Sequence, residues 1–599
     1  MKIIKILYPA FLVGILLSSC EDYLDQAPEA VIDEKDIFSN VLTYQGYVED
    51  IYQGVVDVTI GGQVDINFNF GDDVICSKNT SLDKAFDRGD NWAWMRGGES
   101  PYLGNQNYAN DNERSDTRGI WDSGWGGIRK ANIGLNKLDD LVNATNEEKK
   151  LIEGQLYFFR GYYHYDILKS WGGIPYVTEV FLPSDEMRLK RLTYQQTADS
   201  IANDLKKAIE LLPVNWDQTE MGQATNGQNK GRLVKGAAYG YLGKNYLYAG
   251  SPLMNGSTDT DGYNLDYCQK AAEAFAEVIK LADQGVYELL SWEKYSDNFY
   301  RMDQVSPNSK EYVFNNPSFG FPDKKDGGKM WERGEFILLQ LQGYGCVASP
   351  TENYVENFGM ANGLPITDPN SGYDPNNPWL NRDPRFYYNI VIDGERIVKK
   401  NAGADTYAQF YIGGRHRDPS VNVSTGYIHK KFRDITCNKF DKGWGNWRGH
   451  NWNWECPNMR LADVYLMYAE AVNEVLGPDG SINGGPTALE AVNIVRQRAG
   501  IPDVAPQYHL DKNALRQTIR QERAVELAFE AHRYDDLRRW KLASLPEYKE
   551  KYALEFDKEH TYFKKVLFAT RVFDEKHYWL PFPQEQVNLY PELQQNPGW

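Results

Sequence analysis

Cysteine is scarce, with six in 599 residues, so a dense disulfide framework is excluded at this length. Basic charge is also short: 65 Lys and Arg against 83 Asp and Glu leave a net charge of -18. That balance argues against nucleic acid or anionic lipid as a partner, since both require a basic surface. No apolar run beyond the first twenty residues is long enough to cross a bilayer. Recognisable catalytic motifs are missing as well. The eight histidines, among them His164, His416, His450 and His577, include no i,i+4 pair, and no cysteine pair has zinc-ligand spacing. There is no GxSxG elbow. Gly124-Trp125-Gly126 and Gly443-Trp444-Gly445 lack the strand-turn-helix setting of a phosphate loop.

The N terminus reads as a bacterial export signal, with Lys2 and Lys5 ahead of an apolar stretch from Ile6 to Leu17 that is too short to span a membrane. It ends at Leu17-Ser18-Ser19-Cys20, a lipobox, so residues 1–19 are expected to be removed and Cys20 lipidated. Several acyl chains on one residue, at about 0.8 kcal/mol per buried methylene, make a lasting anchor. Glu21, Asp22 and Asp25 follow at once, similar to signals that send lipoproteins to the cell surface. Residues 20–40 then serve as a tether and 41–599 as one large helical domain. With Cys20 acylated, five cysteines remain, of which Cys437 and Cys456 are the best-placed pair for a bridge.

Helical periodicity is clear in a few places. LIEGQLYFFRGYYHYDILKSWGGIP carries Leu156, Phe159, Tyr163, Ile167 and Trp171 at three- and four-residue steps and stops at Gly172, Gly173 and Pro175. A second helix opens on the capping box Thr193/Gln196 and stops at Pro213. VKGAAYGYLGKNYLYAG, whose small residues allow close approach, is followed by a helix through Ala271, Phe275 and Val278. Later come RLADVYLMYAEAVNEV, TALEAVNIVRQRAG and a long helix from about Asp511 to Trp540. Such pairs suggest a mainly α, tetratricopeptide-like scaffold. Irregular insertions at about 65–124 and 312–455, read as loops with short strands, lie over it.

Aromatic residues make up 14% of the chain, more than a core alone needs, and many lie in Gly-, Asn- and Asp-rich stretches. Sugars present apolar C–H faces and hydroxyls, so flat rings flanked by amides and charges are the expected contacts. Three stretches qualify: Trp92, Trp94 and Arg96 with Asp72, Asp73 and Tyr102; Tyr295, Trp331 and Tyr344; and Trp444, Trp447, Trp452 and Trp454 in GWGNWRGHNWNW. A polar turn, DTDGYNLD, offers Asp259, Asp261 and Asp266 as a weak structural calcium site without the closing Glu of an EF-hand. No other cofactor is implied. Glu522, Glu526 and Glu530 share a helical face near Arg520, Arg523, Arg533, Arg538 and Arg539 and read as structural ion pairs.

Several long motifs resemble the SusD/RagB outer-membrane nutrient-binding lipoproteins, nearly end to end. They are the opening with Cys20, Leu24, Asp25 and Pro28, and FFRGYYHYDILKSWGGIP with Arg160, Tyr162, Asp166 and Trp171. RLADVYLMYAEAVNE, VNIVRQRAG and ERAVELAFEAHRYDDLRRW follow, with Asn596-Pro597-Gly598 at the close. Ala531 stands where that family usually has Gly. The resemblance implies a single domain of four tetratricopeptide-like helix pairs. It also implies a cell-surface, non-enzymatic protein that captures glycan and hands it to a SusC-like TonB-dependent barrel. A surface glycoside hydrolase and a peptide-binding cap of a similar transporter are the alternatives. The shared motifs are structural, so ligand residues do not transfer with them.

Overall fold

The computed structural model describes residues 34–55, 70–76, 82–95, 103, 119–182, 184–186, 188–302, 308–315, 348–417, 423–436, 440–441 and 453–599. Cys20 and Cys437 lie outside them, while Cys456 is buried.

Ten helices build the scaffold: α1 Val41–Tyr52, α2 Ile120–Asn136, α3 Asn146–Trp171, α4 Tyr194–Leu211 and α5 Lys235–Gly250 in the first half. The second half has α6 Leu265–Asp283, α7 Leu461–Leu476, α8 Ala488–Arg498, α9 Lys512–Glu526 and α10 Arg533–Arg539. From α2 to α8 each helix packs on the next, and α9 returns against α7. The helix pairs of a tetratricopeptide-like fold result, mainly helical with few short strands, as the periodicity predicts. Thr145/Glu148, Thr193/Gln196 and Thr487/Glu490 form reciprocal capping boxes that start α3, α4 and α8 by satisfying their first free N–H groups. From Leu151 on, α3 is buried on nearly every side because it is central, with α2, α4 and α1 against it. Close approach rests on glycine at two crossings: a Cβ on Gly127 would enter the Tyr163 ring, and one on Gly243 would come within 2.6 Å of Phe275.

α6 and α7 are in contact although residues 284–460 separate them. The described strands of the irregular regions form two-stranded ribbons. β1 Val74–Cys76 pairs with β4 Ala348–Pro350, β2 Tyr300–Arg301 with β7 Asn453–Trp454, and β3 Tyr312–Phe314 with β8 Met459–Arg460. β5 Ile390–Val391 joins β6 Ile428–His429, and β9 Glu550–Phe556 joins β10 Phe563–Thr570. Two apolar clusters result, a large one among the helices and a smaller one around Tyr295, Phe386, Phe432, Phe529 and Phe556.

The expected helix from Asp511 to Trp540 is interrupted. α9 ends at Glu526, and the chain passes through left-handed Phe529 (φ 62°) and Ala531 (φ 63°) before α10 begins. The break places the Phe529 ring in the smaller core beside Tyr354 and His429, and Glu530 in an ion cage with Lys431 and Arg460. Those buried contacts outweigh helix propensity, which is a weak preference.

The acidic face of α9 is an ion-pair network, but its partners are mostly not the neighbouring arginines. Arg385, Lys431, Arg460, Arg496 and Arg498 pair with Glu311, Asp383, Glu522, Glu526 and Glu530, five cations against five anions. Arg523 instead holds Asp463 and Asp536, Arg533 holds Asp72, and Arg539 holds Glu470 and Asp536. Burial alone would push the Glu526 carboxyl up, but Arg498, Arg460, Arg385 and Lys431 hold it well below the usual carboxylate range.

Candidate functional site

Four of the ligand residues expected from sequence are interior. Asp72 accepts two hydrogen bonds of 2.7 Å from the Arg533 guanidinium, and its backbone carbonyl accepts from Thr351. Asp73 is fully buried, and burial followed by the neighbouring Asp72 charge raises its carboxyl to about 6. Trp94 packs against Trp121 and Trp171, at 5.5 and 4.9 Å, and its indole donates to the Pro581 carbonyl. Tyr295 is covered by Trp292, Phe299, Tyr388 and the Arg498 guanidinium. None of the four presents a surface to a glycan. Their rings and carboxylates stand in the same polar, glycine-rich runs as exposed ones, so local sequence does not separate the two. Arg96, Tyr102, Trp331, Tyr344, Trp444, Trp447 and Trp452 lie outside the described residues, and Trp454 is described only as backbone of β7.

The backbone does draw the three stretches together at their flanks. β1, directly after Asp72 and Asp73, pairs with β4, which directly precedes Thr351. β2, which follows Tyr295 by five residues, carries Tyr300 opposite Trp454.

Trp92 is the remaining candidate, and it is half-buried in a surface cluster that the sequence reading did not assemble. Its ring meets Trp599 at 5.8 Å, edge to face. Trp599 in turn meets His577 at 5.4 Å, and the Lys576 ammonium lies 4.4 Å from its centroid. The Trp599 indole N–H donates to the carbonyls of Lys576 and Trp579, at 2.9 and 3.0 Å, which fixes the ring plane. The segment before it is pinned too. The Asn596 amide donates to the carbonyls of Trp171 and Leu580, and Arg191 donates to Asn596 Oδ1 and the Gln594 carbonyl. A ring fixed in position beside an ammonium, with a second ring against it, suits the apolar face and hydroxyls of a sugar. Trp599 and Lys576 join Trp92 in this cluster without standing among the residues expected from sequence, and His577 is buried behind Trp599. The signal for the cluster was the aromatic after Asn596-Pro597-Gly598.

The carboxylates of Asp259, Asp261 and Asp266 are exposed and do not gather. Asn264 accepts from the N–H groups of Asp266 and Tyr267 as the N-cap of α6, and Arg520 holds the Thr260 carbonyl. Among the described residues no three His, Cys, Asp or Glu could hold a metal ion. The turn is thus explained by helix capping. A cleft lined by Asn357, Tyr508 and Gln521 has a charged floor of Asp383, Arg385, Arg496 and Glu522, and those four are paired with one another or with backbone carbonyls.

Comparison with known proteins gives one consistent family. Residues 310–599 match the family described as the SusD family, and residues 22–247 match one described as starch-binding and associating with the outer membrane. SusD-like protein P25 of Formosa agariphila is 23% identical over 569 residues, covering 90% of each chain. A crystal structure of a SusD-like protein from Bacteroides fragilis superposes with a TM-score of 0.70 at 24% identity, over 95% of this chain and 99% of the other. A SusD-like carbohydrate-binding protein from the same species gives 0.61 at 19% identity, over 93% and 100%. The long motifs, the helix pairs and these likenesses agree. In the described residues no helix is long and apolar enough to cross a membrane.

Proposed function

This chain belongs to the SusD family, and on that footing we propose that it is a surface lipoprotein that binds oligosaccharide or polysaccharide and delivers it to a SusC-like TonB-dependent barrel. The observation that carries the reading is the match of residues 22–247 to a family of starch-binding proteins that associate with the outer membrane. The lipobox at Leu17 to Cys20 supports anchoring at that membrane. A net charge of -18 suits a neutral cargo better than an acidic one.

Binding falls to rings held at the surface, and Trp92 with Trp599 is one described pair that meets the requirement. Trp92→Ala is expected to weaken glycan affinity at least tenfold, about 1.4 kcal/mol, with little change in melting temperature. Trp447→Ala is expected to act in the same way. Affinity electrophoresis through gels loaded with a polysaccharide panel, followed by calorimetry on the retained glycan, checks both. Unaltered affinity in both variants would sink the assignment of these rings. Release of reducing ends during incubation would overturn the binding role itself and favour a glycosidase. Copurification of a large barrel protein is the expected result for the delivery step.

A further inference from the structure

We propose that a polar pocket bounded by α3, α5 and the turn between α9 and α10 is a hydration site, whose water bound at its buried groups is part of the fold. The pocket measures about 50 Å³ and is lined by Tyr165, Asp166 and Lys169 from α3, Lys244 from α5, and His532 and Asp535 beyond the turn. A water needs roughly 10–15 Å³ of such space, so there is room for about three to five.

Its polar lining is incompletely matched by the protein. Tyr165 is almost wholly buried and its hydroxyl has no hydrogen-bond partner in the protein; behind the lining residues Lys244 and His532, at the base of α7, the same holds for Asp463 Oδ2. The Lys244 ammonium, also buried, lies 3.9 Å from Asp463 Oδ2, and His532 Nδ1 lies 4.0 Å from the same oxygen. Both distances exceed a hydrogen bond and fall where a bridging water belongs. A buried ammonium and a buried carboxylate oxygen without such bonds would be costly.

The chemistry of the lining selects water over an ion. Its charges are balanced in pairs: Lys169 with Asp166 at 2.8 Å, Asp535 with Arg538 at 3.3 Å, Lys244 with Asp463 at 3.9 Å, Arg523 behind them with Asp536 at 2.9 Å, and Glu530 with Lys431 and Arg460. Burial lowers His532 to about 4, so it is neutral at physiological pH and adds no charge. What is left over is mixed: an ammonium and a hydroxyl that donate, and a carboxylate oxygen that accepts. Only a ligand that both donates and accepts, and that is this small, answers all of them. The water joins α3, α5, α7 and the left-handed turn.

A high-resolution crystal structure of the protein is expected to show ordered water within hydrogen-bonding distance of Tyr165 Oη, Lys244 Nζ and Asp463 Oδ2. Bromide-soaked crystals are expected to show no anomalous peak there. Tyr165→Phe is expected to lower the melting temperature, because a bridged hydroxyl is removed. An unbridged buried hydroxyl would give the opposite sign, since its removal relieves a cost. A halide peak between Lys244 and His532, the absence of ordered density, or a melting temperature for Tyr165→Phe equal to or above that of the parent would each overturn the proposal.

Discussion

Asp73 has neither carboxylate oxygen hydrogen-bonded, and it lies beside Asp72, whose own carboxylate is taken by Arg533. Burial raises its carboxyl from the ordinary 3.8 to about 6. Because the folded value is the higher one, the protonated form is favoured by folding, and the associated stability is complete below about pH 4 and lost as pH rises through 6. The loss amounts to as much as about 3 kcal/mol. Asp73→Asn, which keeps the shape and removes the charge, is therefore expected to melt higher than the parent at pH 8 and alongside it at pH 4. Thermal melts across that range check this, and a gap that fails to widen with pH would refute it. Glu352, raised to about 7 by burial, has the same sign. Nothing in GDDV distinguishes this buried acid from a surface one. Spacing reveals which residues share a helix face, but burial of a loop carboxylate is decided by segments hundreds of residues away, here Arg533 and Lys551.

Helices were the legible elements. α3 to α8 stand where apolar spacing, capping boxes and the stops at Gly172 and Pro213 place them. The break between α9 and α10 was not legible, because ERAVELAFEAHRYDDLRRW has helical periodicity throughout. Only the family's glycine at position 531 hinted at it, and the left-handed backbone of Ala531 supplies the reason. A Cβ in that conformation costs about 1 kcal/mol, which glycine avoids at the expense of greater freedom in the unfolded chain. Ala531→Gly is expected to stabilise the protein by about 0.5 kcal/mol, read as a shift in urea midpoint at unchanged slope. Destabilisation of similar size would show that the Ala531 methyl contributes more through packing than its strain costs.

Across the whole molecule, the five-by-five ion network lies where the two apolar clusters meet. Arg460 sits between Met459 and Leu461 of the larger cluster, while Arg385 and Lys431 adjoin Phe386 and Phe432 of the smaller. Arg460 alone touches Glu311, Glu526 and Glu530. Arg460→Met leaves those acids with less compensation and is expected to cost about 3–5 kcal/mol in denaturant unfolding. A loss under about 1 kcal/mol would mean that the acids find other partners. Glu526, Glu530 and Asp463 are held below the usual carboxylate range by cations that outweigh burial, so their stability is present above it and lost on acidification. The sequence showed that these charges pair, but not with whom, since partners run from Glu311 to Glu530. That spread bears on how the chain reaches its native state. Ten hydrated side chains from distant segments must shed water to pair, so the seam between the clusters is expected to close late in folding. Its ion pairs are then missing from the transition state, and they act on how slowly the finished protein comes apart rather than on how fast it forms.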